Sequence, residues 1–171
     1  MTSTLRIICV CSGNICRSPM AAALLKEKLK DLDRPAVIIS AGTLGLSGHP
    51  AAIHAQAAVR AVGCDLGGHR SQGASIGLLR MADHIVIMST RHEDAILAQD
   101  PSLEARLVRL WLYDSETRHE TGIPDPVGQD LAAFVGCRDL IDRCLNRWLD
   151  ELHGTDIGQD NASSAQTIKE D

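Results

Sequence analysis

Leu5-Arg6-Ile7-Ile8-Cys9-Val10 runs directly into Cys11-Ser12-Gly13-Asn14-Ile15-Cys16-Arg17-Ser18-Pro19, and this stretch decides how the chain reads. The first six residues are apolar at all positions but Arg6, as a short buried strand requires. Ser12-Gly13-Asn14 then breaks the strand. Ser18-Pro19 predicts a helix start, with proline at the first helical position and serine as its cap. Met20, Leu24, Leu25, Leu29 and Leu32 recur along one side of that helix, with Lys26, Lys28 and Lys30 toward solvent. Strand, tight loop and helix in this order open an α/β sheet, in which ligands bind at the carboxyl ends of strands.

Working outward, Ala36–Ile39 reads as a second strand, followed by a Gly-rich connection from Gly42 to Pro50. Ala51 to Val62 predicts a helix ended by Gly63, and Ser75 to Met81 a short one. His84–Met88 reads as a third strand, a helix from about Arg91 stops before Pro101, and Arg106–Leu112 reads as a fourth strand. The last helix is expected from about Asp130 to Leu152, with Leu131, Phe134, Ile141, Leu145, Trp148 and Leu152 as its apolar stripe. Continuous apolar strands alternating with helices predict a single-domain α/β protein. Its four-stranded open parallel sheet carries helices on both faces. The domain is expected over residues 1–153, leaving 154–171 as a disordered polar tail. Asp156, Asp160, Glu170 and Asp171 against Lys169 place about three of the five net negative charges there, so the domain is nearly neutral.

The loop after the first strand is chemically specific. Cys11 and Arg17 bracket five residues whose backbone N–H groups can face inward as a nest for a tetrahedral oxyanion. Gly13 and Asn14 are the residue types that most readily accept left-handed backbone angles. Arg17 closes the ring with a bidentate fork for two phosphate oxygens. Cys11 lies beneath the phosphorus, its thiolate stabilised by the amides, the guanidinium and the helix dipole. Cys-x5-Arg alone is a weak pattern. Preceded by a strand and followed by Ser-Pro, it predicts phosphate binding by Ser12, Gly13, Asn14, Ile15, Cys16, Arg17 and Ser18.

Composition narrows the alternatives. Seventeen basic against 22 acidic residues leave no basic surface for nucleic acid, and four aromatics cannot form a base-stacking platform. The longest unbroken apolar run, Met20–Leu25, is far too short for a membrane span, and the N-terminus carries no recognisable export signal. Six cysteines without a Cys-x-x-Cys pair argue against a disulfide scaffold and a structural zinc site. A cytoplasmic enzyme that uses neither cofactor nor metal is expected, with no nucleic-acid or membrane partner. Cys9, Cys137 and Cys144 read as core residues.

Val10–Pro19 resembles the signature of the low-molecular-weight protein tyrosine phosphatases, bacterial type. Ser40-Ala41-Gly42-Thr43, Gly67-Gly68-His69-Arg70-Ser71 and Asp125-Pro126 follow in that family's order and spacing. The resemblance covers about residues 5 to 152. It implies a phosphomonoester hydrolase that dephosphorylates phosphotyrosine in proteins through a phosphocysteine intermediate. Cys11 would be the nucleophile, Arg17 the phosphate clamp and Asp125 the general acid and base. It further implies that Ser18 assists the thiolate, that Ser40 and His69 brace Asn14, and that Cys16 forms a reversible disulfide with Cys11. Read without it, Asp125 between two prolines is only a turn residue, Ser18 a helix cap, and Cys16 a small apolar filler.

Two departures bear on substrate. Val127-Gly128 follows Asp125-Pro126 where many relatives carry an aromatic wall, and Leu44 and Leu46 stand where the neighbouring loop can supply another. The expected pocket walls are therefore Ile15, Leu44, Leu46 and Val127, with no aromatic clamp unless Trp111 or Tyr113 reaches it. Ile15 matches the tyrosine-phosphatase version of the loop, whereas threonine there accompanies the phosphoarginine phosphatases of the family. Protein phosphoarginine hydrolysis is the alternative. A thioredoxin-coupled arsenate reductase would need two more cysteines near residues 80–90, and there are none between Cys64 and Cys137. A non-catalytic phosphate binder would need neither Cys11 nor Asp125. The physiological substrate and the oligomeric state are not written in the sequence.

Overall fold

Strand β1 (Leu5–Cys11) is buried at every position except Arg6. Successive side chains of a strand point to opposite faces, so this pattern requires cover on both sides of the sheet. In the computed structural model, which describes residues 4–116 and 120–165 (backbone only beyond Gly154), β1 is a central strand. It pairs in parallel with β2 (Ala36–Gly42) on one side and β3 (His84–Ile87) on the other. β4 (Leu107–Arg109) closes the far edge, giving the order β2-β1-β3-β4.

Helix α1 (Arg17–Asp31) packs on β1 and β2. It also meets α2 (Ile53–Arg60) and the long final helix α5 (Leu131–Ala165). α4 (Thr90–Leu97) lies against β3, and the short α3 (Ile76–Arg80) precedes that strand. Cys9, Cys137 and Cys144 are buried in the core. So is Trp148, whose ring meets His84 edge-on at 5.5 Å.

Because the chain leaves β1 toward β2 and later returns to β3 on the other side, β1 stands at the point where strand order reverses. That is where an open α/β sheet opens a crevice at its carboxyl edge. The register sets Cys11 opposite Gly42 and Val10 opposite Ile87, so the ends of three strands converge there.

Two expectations need correction. The fourth strand is only three residues long, flanked by 3₁₀ turns at Pro101–Arg106 and Leu110–Tyr113. It pairs only with Ile85–Ile87, and the turn that follows lets Trp111 bury its ring in the core. Helix α1 starts at Arg17 rather than at Pro19, and Ser18 does not cap it, because its hydroxyl is engaged elsewhere. Helix α5 itself runs to Ala165, beyond the end at about Leu152 expected for the last helix. An established helix propagates at little cost per residue even without an apolar stripe. Residues 166–171 of the segment expected as a tail lie outside the described residues.

Candidate active site

Cys11 ends β1, and its side chain is buried with Sγ 2.9 Å from Ser18 Oγ on the first turn of α1. Between them the chain turns through Asn14, whose φ of 56° lies in the left-handed region. Gly13 does not share that conformation, contrary to expectation, so the turn rests on Asn14 alone. Asn14 is fully buried, and its side-chain amide is satisfied at both ends. Its Nδ2 donates to Ser18 Oγ at 2.9 Å and to Ser40 Oγ at 2.8 Å, while its Oδ1 accepts from the Gln72 amide at 2.9 Å. Its backbone carbonyl lies 2.7 Å from His69 Nε2, which fixes that nitrogen as the donor.

Gly42 closes the back of the loop. A β-carbon there would lie 2.6 Å from the Ser12 carbonyl oxygen and 2.9 Å from the Asn14 amide nitrogen. Only glycine lets β2 approach the loop this closely. The Thr43 and Leu44 amides then donate to the Cys11 and Ser12 carbonyls, both at 3.0 Å, which carries Leu44 to the mouth of the site. Among the described residues, the amides of Gly13, Asn14, Ile15 and Cys16 donate to no protein acceptor. A tight loop of unpaired amides at a helix N-terminus is an anion cradle.

Arg17 is buried, and its Nη1 donates to the Ile123 carbonyl at 3.0 Å. Its Nη2 pairs with Asp125 Oδ2 at 2.6 Å, while Nε is buried without a partner. Asp125 is held in turn by the Val127 amide on Oδ1 at 3.2 Å. Its loop is anchored to the end of β3, where the Ile123 amide donates to the Met88 carbonyl at 2.8 Å. Gly122 sits so close to Ser89 that a β-carbon there would fall 2.4 Å from the Ser89 side chain. The loop thus brings Asp125, over a hundred residues distant in sequence, onto the Cys11–Arg17 turn.

These groups share a cavity of about 340 Å³, with Cys11, Ser12, Gly13, Ile15, Cys16 and Arg17 at its base. Leu44, Leu46 and Val127 form its walls, and among the described residues no aromatic side chain lines it. Trp111 lies in the core, and Tyr113 lines a separate hollow with Arg147 and Glu151. Cys16 is buried beside the loop, its thiol pushed up to about 12 by burial and by the nearby Asp125 and Cys11 charges.

Sequence reasoning missed the contribution of β3. Ser12 Oγ lies 3.0 Å from His92 Nε2, and His92 Nδ1 lies 3.2 Å from Ser89 Oγ. His92 is fully buried, and burial together with the Arg17 charge lowers its pKa to about 4, keeping the ring neutral at physiological pH. Next to it, Arg91 lines the cavity mouth. Both residues follow a strand end, so the rule that ligands bind at the carboxyl edge was the available signal. Gln72 and the steric role of Gly42 carried no comparable mark.

A cysteine under an amide loop, a buried guanidinium and a carboxyl at the mouth, all at the crevice of a parallel sheet, define a phosphatase of the cysteine-loop class. The chain belongs to the low molecular weight phosphotyrosine protein phosphatase family, whose model matches residues 6–157. It is 34% identical over 146 residues to the probable low molecular weight protein-tyrosine-phosphatase EpsP of Ralstonia nicotianae, covering 85% of this chain and 94% of that one. It is also 32% identical over 148 residues to a protein-arginine-phosphatase of Geobacillus stearothermophilus, covering 86% of this chain and 95% of that one. Among solved structures, the low molecular weight protein tyrosine phosphatase of T. tengcongensis superposes with a TM-score of 0.79 at 25% identity, covering 86% of this chain and 99% of that one. The YwlE arginine phosphatase of Geobacillus stearothermophilus gives 0.78 at 30% identity, covering 90% and 96%. Among the described residues, no helix is long and apolar enough to cross a membrane.

Proposed function

We propose that this chain hydrolyses phosphotyrosine in protein substrates by way of a phosphocysteine intermediate. The observation that carries the reading is the convergence of Cys11, Ser18, Arg17 and Asp125 on one loop of unpaired amides. The loop amides and Arg17 hold the phosphoryl oxygens, and Cys11 attacks the phosphorus while Asp125 protonates the departing phenolate oxygen. The carboxylate left on Asp125 then takes a proton from water, which attacks the phosphocysteine. Ser18 donates to the sulfur as it leaves, so each displacement has a stabilised leaving group.

Ser40 and His69 act through Asn14, keeping the cradle in one conformation. Cys16 resolves an oxidised Cys11: peroxide converts the thiolate to a sulfenic acid, and the Cys16 thiol displaces water from it to give the disulfide. Ile15, the position at which the two specificities of the family differ, favours the tyrosine reading. The aliphatic walls Leu44, Leu46 and Val127 and the resemblance to a protein-arginine-phosphatase keep phosphoarginine as the second reading. Matched phosphotyrosine and phosphoarginine peptides decide between them in one assay. Faster turnover of phosphotyrosine supports the proposal, and faster turnover of phosphoarginine sinks it.

A further inference from the structure

Arg91 is the charge at the cavity mouth that the proposed mechanism leaves unused. The two other charged residues there, Arg17 and Asp125, are paired with each other at 2.6 Å. Among the described residues Arg91 has neither an ion pair nor a hydrogen-bond acceptor, and it is exposed. It is the second residue of α4, and both of its neighbours are anchored. The Thr90 amide donates to the Thr121 carbonyl at 2.9 Å, and the buried His92 ring is held between Ser12 and Ser89. The base of the Arg91 side chain is therefore fixed at the rim of the cavity that Leu44, Leu46, Val127 and Asp125 also line.

We infer that Arg91 selects phosphotyrosine over phosphoarginine at this site. The inference rests on the phosphatase reading above and names its specificity residue. The two leaving groups differ in charge. When the phosphorus–oxygen bond of phosphotyrosine breaks and Asp125 supplies its proton, a neutral phenol departs. When the phosphorus–nitrogen bond of phosphoarginine breaks with the same proton transfer, a guanidinium cation departs. That cation forms in a cleft where Arg91 presents a like charge, where Asp125 is already paired with Arg17 at 2.6 Å, and where Leu44, Leu46 and Val127 give it no ring to stack on, so the transition state is raised for phosphoarginine relative to phosphotyrosine. Against a neutral ring the same guanidinium is attractive, through stacking on its face.

The test uses the full chain with two peptides of identical uncharged flanking sequence, one carrying phosphotyrosine and one phosphoarginine. The quantity read is the ratio of their kcat/KM values, which cancels any general loss of activity. Arg91→Glu should shift that ratio toward phosphoarginine by about tenfold or more, Arg91→Gln by less, and Arg91→Lys should hold it near the parent value. The parent ratio should also fall as salt screens the rim charge. A ratio that stays within twofold in both Arg91→Glu and Arg91→Gln overturns the inference while leaving the phosphatase reading standing. A parent enzyme that turns over neither peptide overturns both.

Discussion

Replacing Gly42 with alanine tests whether the geometry of the cradle is what makes the site work. The new β-carbon would lie 2.6 Å from the Ser12 carbonyl oxygen, 2.9 Å from the Asn14 nitrogen and 3.0 Å from the Gly13 carbonyl carbon. All three are backbone atoms of the loop itself, so no flexible side chain can absorb the contact. Reaching an ordinary separation of about 3.4 Å requires the Ser12 carbonyl to withdraw by about 0.8 Å. The loop cannot follow freely, because Asn14 is tied to Ser18, Ser40 and Gln72. Misplacing reacting groups by about 1 Å costs on the order of 100-fold in rate, and overpacking costs roughly 1–3 kcal/mol of stability. The expected outcome is a folded protein whose kcat/KM for p-nitrophenyl phosphate falls about 100-fold, read beside a thermal melt. Gly77→Ala serves as the control, since a β-carbon on that exposed helical residue meets nothing within 4 Å. It should keep full activity and gain about 0.5–1 kcal/mol. A folded Gly42→Ala protein within threefold of the parent would refute the reasoning.

Asp125→Ala should lower turnover of phosphotyrosine peptides by about 10²–10⁴-fold while slowing esters of acidic phenols far less; equal loss on both would remove Asp125 from the role of acid. Asn14→Gly keeps the left-handed angle and deletes the side-chain bonds, so it should lose activity about as severely as Asn14→Ala; a fully active Asn14→Gly would mean that only the backbone angle mattered. His92 is neutral in the fold with its pKa near 4, below the usual value of about 6.5, so the unfolded chain binds a proton first as pH falls. Stability should therefore drop by up to about 3 kcal/mol between pH 6.5 and 4, and urea titrations of His92→Gln should show a shallower fall; an unchanged slope would remove His92 as its source. Under peroxide, Cys16→Ser should lose activity irreversibly where the parent recovers with a thiol reductant; equal recovery would dismiss Cys16 as the resolving cysteine.

The fold was legible because β1, β2 and β3 are continuous apolar runs and the helices between them carry helical periodicity. Arg106–Leu112 misled because a short apolar run near the sheet edge reads the same as a strand or a 3₁₀ turn, and only the three partners on β3 set its length. Ser18-Pro19 misled in a different way. Local chemistry favours Ser18 as a cap, but Asn14 and Cys11 claim its hydroxyl, and the helix begins two residues earlier than Pro19. At the site, the residues of the first loop were visible because they are contiguous. Arg91, His92 and Gln72 were not, because only the meeting of strand ends β2 and β3 with β1 brings them to the loop. Leu44, Leu46 and Val127 do line the cavity, so among the described residues the scarcity of aromatics is a feature of the pocket as well as of the composition.

The central claim is that Cys11 carries the phosphoryl group between two displacements. Mixing the enzyme with a phosphotyrosine peptide, quenching within the first turnover and mapping the phosphate by mass spectrometry tests it most directly. The account predicts a phosphate on the Cys11 sulfur that appears before inorganic phosphate and is absent from Cys11→Ser, which also fails to turn over. Phosphate on any other residue, or steady turnover by Cys11→Ser, would contradict it.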